Sequence, residues 1–467
     1  MTRRIRIGID TGGTFTDVVA LDEDSGDLVT TKTPSTPSNP ADGFLTGVRK
    51  VLDLMGASGT DITAVSHGTT VATNKLLEGK VEALGFITTE GYEFILEIAR
   101  QAVPDGYGNS YFWVKPPRIV PADYVKTVGG RIDFEGNEIR PFDEERAVDV
   151  ARWFKDRGIT TIGVCFLHSY ADDSHELAMR AVLRREHPDA VVSISSEVLR
   201  EYREYERSMT TLVDAAVKPN VSRYVANIAD RLGAMLAESQ ASTDAGGTRG
   251  RRPATAGSAG ASFHIMKSNG GVLSADEVVN QPITTVLSGP AAGALGAGLV
   301  ARRAGFDKVL TCDGGGTSTD VSVVLGGEPT LTTEGTVGAY PSKIPMIDVV
   351  TVGAGGGSIA WISPEGSLKV GPQSAGADPG PLCYAKGGIE PTITDAHVTL
   401  GRIPPHLLGG EIPLDVEAAR AGVTELAARL GLDLEHCATG ILEISAWNQA
   451  NALRQVSVKR GLDVRDF

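Results

Sequence analysis

Two stretches of this sequence carry residues suited to chemistry on an anion: IGIDTGGTFTD at 7–17 and CDGGGTSTDV at 312–321. Each reads as an apolar run, an aspartate, a glycine pair or triplet, a threonine and a second aspartate. An apolar run ending in Asp and a tight glycine turn predicts a strand-turn-strand hairpin. Glycine has no β-carbon, so the N–H groups of such a turn can approach an anion closely. The Asp at the strand end can hold Mg2+, directly or through water. In this reading Asp10, Thr11, Gly12, Gly13, Thr14 and Thr16 form a first phosphate loop. Asp313, Gly314, Gly315, Gly316 and Thr317 form a second. The expected ligand is ATP with Mg2+ (or Mn2+), clamped between the hairpins, with Asp10 and Asp313 as catalytic and metal-binding carboxylates. Two carboxylates at one site repel unless a divalent cation lies between them. The alternative is a pair of structural β-turns, where glycine supplies positive φ and Asp caps its own backbone. Recurrence of the whole pattern in one chain argues against it.

The second constellation is HGTTVATN at 67–74, which reads as a polar loop entering a helix. His67 is a candidate proton donor or anchor for a reacting carbonyl. Thr69, Thr70 and Asn74 would face substrate near the γ-phosphate. The alternative is that Thr69 or Thr70 caps the helix and His67 is an ordinary surface or buried histidine. SGPAAGALGAGL at 288–299 predicts a small-residue helix with Pro290 in its first turn, bringing Gly289 to the cleft. GAGGGS at 353–358 tempts a dinucleotide reading, but that fingerprint must open a helix. The residues after it read as a strand hairpin turning at 364–366. A tight turn lining the cleft through Gly355 and Gly356 is the expectation. Cys383, in a Gly/Pro-rich loop, has no His-Asp pattern around it and is read as structural.

These residues need elements to position them. The chain has 467 residues, 41% hydrophobic and 22% charged, which favours at least two domains of ordinary globular type. Its net charge of -14 argues against nucleic acid as a partner. Four scattered cysteines have no close-paired metal spacing and read as free thiols. No apolar run is long enough to span a bilayer, and the N-terminus lacks an apolar signal core. A cytoplasmic protein that does not enter a membrane is expected. Strands are read at 4–9, 16–21 and 28–33, and a helix over 41–55. Residues 101–121 show no regular period and read as an inserted loop, a possible cap over substrate. A domain boundary is expected near 199–208, in a charged stretch that starts a helix running to Val217. The Ser/Thr/Gly/Ala-rich segment 239–262 reads as a surface insertion. The strand 308–312 delivers the second hairpin, and 438–459 reads as one long closing helix.

The helix SGPAAGALGAGL followed by VLTCDGGGTSTDVSVV resembles the actin, heat-shock-protein-70 and sugar-kinase ATPase superfamily. Taken together, IGIDTGGTFTDVV, SHGTTVATNKLLE, SNGG, LSGPAAGALGA, CDGGGTSTDVS, VGAGGGSIAWI, GPQSAGADPGPLCY and TDAHVTLGR resemble the hydantoinase A / 5-oxoprolinase subunit family. The resemblance covers nearly the whole chain except 239–262. It implies an α/β fold of two ribonuclease-H-like, actin-type ATPase domains facing a nucleotide cleft, 1–200 and 201–467. It also implies an ATP-binding A-type subunit that opens a cyclic amide, hydantoin or 5-oxoproline, together with a hydantoinase B-type subunit. A sibling branch carboxylates acetone or acetophenone with ATP, and a non-catalytic actin-like fragment is the third alternative. Family members continue past a segment like VSVKRGLDVRDF into an apolar strand and a GGAGP loop. No GGAGP occurs in these residues, so the second domain is expected to be C-terminally incomplete and its adenosine wall missing.

Overall fold

Alternation of apolar and polar residues builds the first hairpin. The strand Ile5–Thr11 buries Ile5, Ile7 and Ile9, and Phe15–Asp22 returns antiparallel to it, burying Thr16, Val18 and Ala20. Leu28–Pro34 completes a meander. The helix Pro40–Met55 covers its inner face with Phe44, Leu45, Val48 and Val51, all essentially inaccessible to solvent. Gly47 is required there, because a β-carbon would lie 2.5 Å from Val18. The helix ends on Gly56 in the left-handed conformation, where glycine carries no steric penalty. The computed structural model describes residues 3–36, 39–77, 83–101, 118–245, 261–337 and 340–467.

The first sheet continues beyond the meander. Ile62–Thr69 pairs parallel to Ile5–Thr11, and Ser262–Met266 pairs parallel to Ile62–Thr69, with Val272–Ser274 at the edge. Its strands therefore come from both sides of residue 200, the expected domain boundary. A second sheet is wholly parallel, in the order Val191–Ile194, Thr161–Cys165, Leu84–Thr89, Val125–Val128.

One helix, Glu204–Ala245, packs on the second sheet and reaches the first through Tyr224, bonded to His67, and through the helix Pro40–Met55. It runs on past Val217, where the sequence suggested an end, and through Pro219. Leu212, Val213, Val217, Val221, Val225, Ile228 and Leu232 recur at helical spacing and are buried. That apolar stripe outweighs an interior proline, which costs about 3 kcal/mol. The helix also occupies 239–245, the first part of the segment read as an insertion; residues 246–260 lie outside the described residues. So do 102–117, most of the expected cap.

The meander recurs in the second half. Lys308–Gly314 and Thr319–Leu325 form a hairpin, and Val349–Val352 pairs with the return strand. After the glycine run at 353–357, Ser358–Ile362 and Leu368–Ser374 form a hairpin, as expected, and not a helix. The closing helix is Leu434–Val456, packed beside Val416–Leu430 and Ile393–Thr399. All four cysteines are free, and Cys383 is fully buried. Among the described residues no helix is long and apolar enough to cross a membrane.

Candidate functional site

The two glycine hairpins meet tip to tip. A β-carbon on Gly316 would collide with Thr14 Oγ1 and lie 3.1 Å from Thr14 Cβ. One on Gly13 would lie 3.8 Å from Thr317 Oγ1. Each turn is closed by one main-chain bond: Gly12 N donates to Phe15 O (3.0 Å) and Gly315 N to Ser318 O (2.8 Å). The amides of Gly12 and Gly315 are thus engaged inside their own turns and do not serve a ligand as the sequence reading expected. Gly13, Thr14, Gly316 and Thr317 occupy the facing tips.

The register repeats as well. Asp10 sits opposite Asp17 across the first hairpin, and Asp313 opposite Asp320 across the second. The third strand places Lys32 beside Asp17, with Lys32 Nζ 3.0 Å from its carboxylate. The corresponding strand of the second unit places Thr351 beside Asp320 and donates a hydroxyl hydrogen bond of 2.5 Å. One half is balanced by a cation and the other only by a hydroxyl. Asp10 opens to the cleft but is hemmed in by protein. Burial raises its pKa to about 6, reinforced by Asp17 and Asp313 and opposed by Lys32. Asp320 is also raised to about 6, by burial and by Asp313 and against the Thr351 bond.

The small-residue helix Ser288–Arg303 lies against both units. Ser288 anchors its start: its hydroxyl accepts from Thr69 N (3.3 Å) and donates to Thr69 O (3.2 Å). Gly289 lies against Asp10, as does Gly68, the residue paired with Asp10 on the neighbouring strand.

His67 corrects the sequence reading. The strand Ile62–Thr69 extends through it, and its side chain is fully buried on the core face, flanked by Phe44, Phe263 and Tyr224. Its Nδ1–H donates to Ile9 O (3.2 Å), and Nε2 accepts from the Tyr224 hydroxyl (2.7 Å). Burial lowers its pKa to about 4, so the ring is neutral. With both nitrogens engaged, it has no free face toward the cleft and is not a proton donor there. Thr69 is also buried, and its hydroxyl accepts from Val71 N (3.2 Å) at the start of the helix Val71–Leu77. Thr70 Oγ1 donates to Thr11 O (3.1 Å), tying this turn to the end of the first strand. Asn74 lies in that helix, its side chain outside the described residues.

Thr16 is likewise on the core face, 3.1 Å from Ser35 Oγ, and turned away from the cleft. Gly355 and Gly356 do not line the cleft for substrate. A β-carbon on Gly355 would lie 2.6 Å from Ser318 N, and Gly356 N donates to Gly315 O (3.0 Å). With Gly357 N bonded to Gly316 O (2.6 Å), this run is the floor of the second loop. The sequence reading missed Gly68, Gly293, Asp320 and Asp17 as site residues. The second Asp of each repeat was a visible signal for the last two.

Mg2+ binds through one or two carboxylates, phosphate oxygens and waters, without a dense protein cage. Asp10 and Asp313 fit that donor chemistry, and the missing β-carbons at Gly68, Gly289 and Gly293 leave room around their oxygens. Among the described residues there is no group of three or more His, Cys, Asp or Glu able to hold a metal. The phosphates and water would have to complete the coordination.

Residues 207–467 match the family model Hydantoinase/oxoprolinase, and residues 6–187 match Hydantoinase/oxoprolinase N-terminal region. The caprolactamase subunit alpha of Pseudomonas jessenii is 35% identical over 471 residues, covering 100% of this chain and 64% of that protein. The nucleotide-free acetone carboxylase structure, from work on ATP-dependent acetone carboxylation, superposes with a TM-score of 0.87 at 26% identity. It is covered over 64% of its length by 100% of this chain. The ATP-dependent caprolactamase structure from Pseudomonas jessenii gives 0.75 at 34% identity, over 99% of this chain and 64% of that one. The chain thus spans less than two thirds of the length of each of these three.

Proposed function

This chain belongs to the hydantoinase/oxoprolinase family, and on that premise we propose that it is the ATP-binding A-type subunit of an ATP-dependent cyclic-amide hydrolase. The observation that carries the proposal is the contact of two Asp-bearing glycine hairpins across one cleft. The strand order of the first sheet, an antiparallel meander continued by two parallel strands, supports an actin-type lobe. The repeated meander supports a second lobe, while the helix Glu204–Ala245 and the strand Ser262–Met266, which follow the boundary expected near residue 200, pack with the first. A relative named as a caprolactamase subunit alpha supports the reaction class and a further subunit, which in this proposal is of the B type.

A lactam is resonance-stabilised, so water attacks it poorly. In the proposed reaction the amide oxygen attacks the γ-phosphorus of ATP, and the bond to the β,γ-bridging oxygen breaks. ADP leaves and an imidate-type phosphate remains. A first water adds at the ring carbon and the C–N bond opens, the nitrogen taking a proton and leaving an acyl phosphate; a second water hydrolyses that to the carboxylate and free phosphate. The first step belongs to this chain and the hydrolysis to the B-type subunit. Catalysis of phosphoryl transfer is mainly positioning and charge neutralisation. The amides and hydroxyls at Gly13, Thr14, Gly316 and Thr317 would hold the phosphates between the tips. Asp10 and Asp313 would hold Mg2+ or Mn2+, which when bound offsets the charge of both phosphates and carboxylates.

The closer superposition on the acetone carboxylase structure favours a second reading, activation of a ketone for carboxylation. Phosphate release separates the two. The chain is incubated with a B-type subunit and MgATP, and with hydantoin, 5-oxoproline, caprolactam, or acetone plus bicarbonate. Release that depends on a cyclic amide supports the hydrolase, and release that depends on the ketone supports the carboxylase. No substrate-dependent release with any of them refutes both and leaves a non-catalytic ATP-binding protein.

A further inference from the structure

The helix Ser288–Arg303 carries two glycines one turn apart, each against a different carboxylate. A β-carbon on Gly289 would lie 3.2 Å from Asp10 Oδ1, and one on Gly293 would lie 3.3 Å from Asp313 Oδ2. Residues four apart share one face of a helix. A third, Gly68, bounds Asp10 from the sheet side, where a β-carbon would lie 3.0 Å from Oδ1. Gly296, in the same helix, faces open space with nothing within 4 Å of its β-carbon position. Gly298, further along, would meet Gly327 O at 3.2 Å, so of the helix's glycines Gly289 and Gly293 are the ones that lie against carboxylates.

We propose that Gly289 and Gly293 are positioning residues, and that this helix is the rule that fixes Asp10 and Asp313 relative to one another across the cleft. The inference rests on the metal–nucleotide reading above. Each carboxylate comes from a separate hairpin, and beyond the contact of the hairpin tips this helix is the element that backs both of them. The helix is rigid over one turn, and its bare backbone lets both oxygens rest against it. A methyl group at either position must push its carboxylate aside by a few tenths of an ångström. Mg2+ accepts little of that, because it demands near-octahedral oxygen geometry.

The test is a titration of Mn2+ into the whole chain in the presence of a non-hydrolysable ATP analogue, followed by electron paramagnetic resonance. The variants are Gly289→Ala, Gly293→Ala and the control Gly296→Ala. All three substitutions raise helix propensity, so the helix itself gains in each. The expected result is a loss of Mn2+ affinity of about tenfold or more at 289 and 293, the range for groups that orient metal ligands. Affinity for the metal-free analogue should stay within about twofold, a split that general unfolding would not produce. Gly296→Ala should match wild type. Should Gly293→Ala fail to fold in a thermal melt, Gly289→Ala carries the test, since its methyl meets Asp10 alone. Wild-type affinity in the 289 and 293 variants, or an equal loss at 296, overturns the inference. A wild-type chain that binds no metal–nucleotide at all overturns the metal–nucleotide reading and this inference with it.

Discussion

The contact between the hairpin tips makes a quantitative demand on Gly316→Ala. The new methyl carbon would stand 3.1 Å from Thr14 Cβ and would overlap Thr14 Oγ1. Carbon atoms rest about 3.5–4.0 Å apart and the Oγ1 overlap is deeper still, so the tips must separate by about an ångström or Thr14 must abandon its rotamer. Overpacking of this kind costs about 1–3 kcal/mol. If the strain is relieved by parting the tips, it is subtracted from nucleotide binding, a loss of about tenfold for each 1.4 kcal/mol. Thr14→Ala removes the hydroxyl oxygen and relaxes part of the overlap. Calorimetry with a non-hydrolysable ATP analogue on wild type, both single variants and the double variant gives a complete cycle. We expect the double variant to bind more tightly than Gly316→Ala, with a coupling of about 1 kcal/mol or more. Strictly additive effects would show that the tips do not touch in the nucleotide-bound protein, and the clamp argument would fail.

Three further outcomes are expected. Asp313→Ala should abolish metal-dependent phosphate release while circular dichroism stays unchanged; wild-type turnover would refute its role. Asp10 has a folded-state pKa of about 6, above its ordinary 3.8, so its ionisation opposes folding and that stability is lost as pH rises through this window. Asp10→Asn should therefore raise the urea midpoint of the metal-free chain at pH 8 and remove the stabilisation by Mn2+ and nucleotide; a lower midpoint would contradict the electrostatic account. His67 has the opposite sign: held at about 4, below 6.5, it withdraws stability as pH falls between those values, by up to about 1.4 kcal/mol per unit. His67→Gln should flatten that slope and cost about 1–3 kcal/mol at neutral pH by disrupting the hydrogen bond of the buried Tyr224 hydroxyl. It should leave kcat of the folded protein unchanged, whereas a large fall in kcat would restore His67 to the chemistry.

Both hairpins were legible because two signals coincide in them, alternation along the strands and glycine at the turns. The same alternation could have placed Thr16 and His67 in the core. Thr16 shares parity with Val18 and Ala20, and His67 with Val65, but hydroxyl and imidazole groups drew attention as chemistry. The floor under the second loop was hidden for a different reason. Gly356 and Gly357 act through main-chain N–H groups, which carry no residue-specific signature. The course of the helix Glu204–Ala245 was obscured by Pro219, a local breaker overruled by tertiary burial. The pairing of Ser262–Met266 with Ile62–Thr69 joins residues about two hundred positions apart, beyond any local pattern.

That long-range pairing has a consequence for how the polypeptide can be divided. The first sheet takes the strand beside Ile62–Thr69, and in the helix Glu204–Ala245 part of its apolar cover, from sequence that follows residue 200. A gene cut there would release an amino-terminal product with a bare β-edge and an uncovered oily face. Such a product invites self-association. Co-expression of the remaining fragment should rescue its solubility, because the complement travels on the other piece.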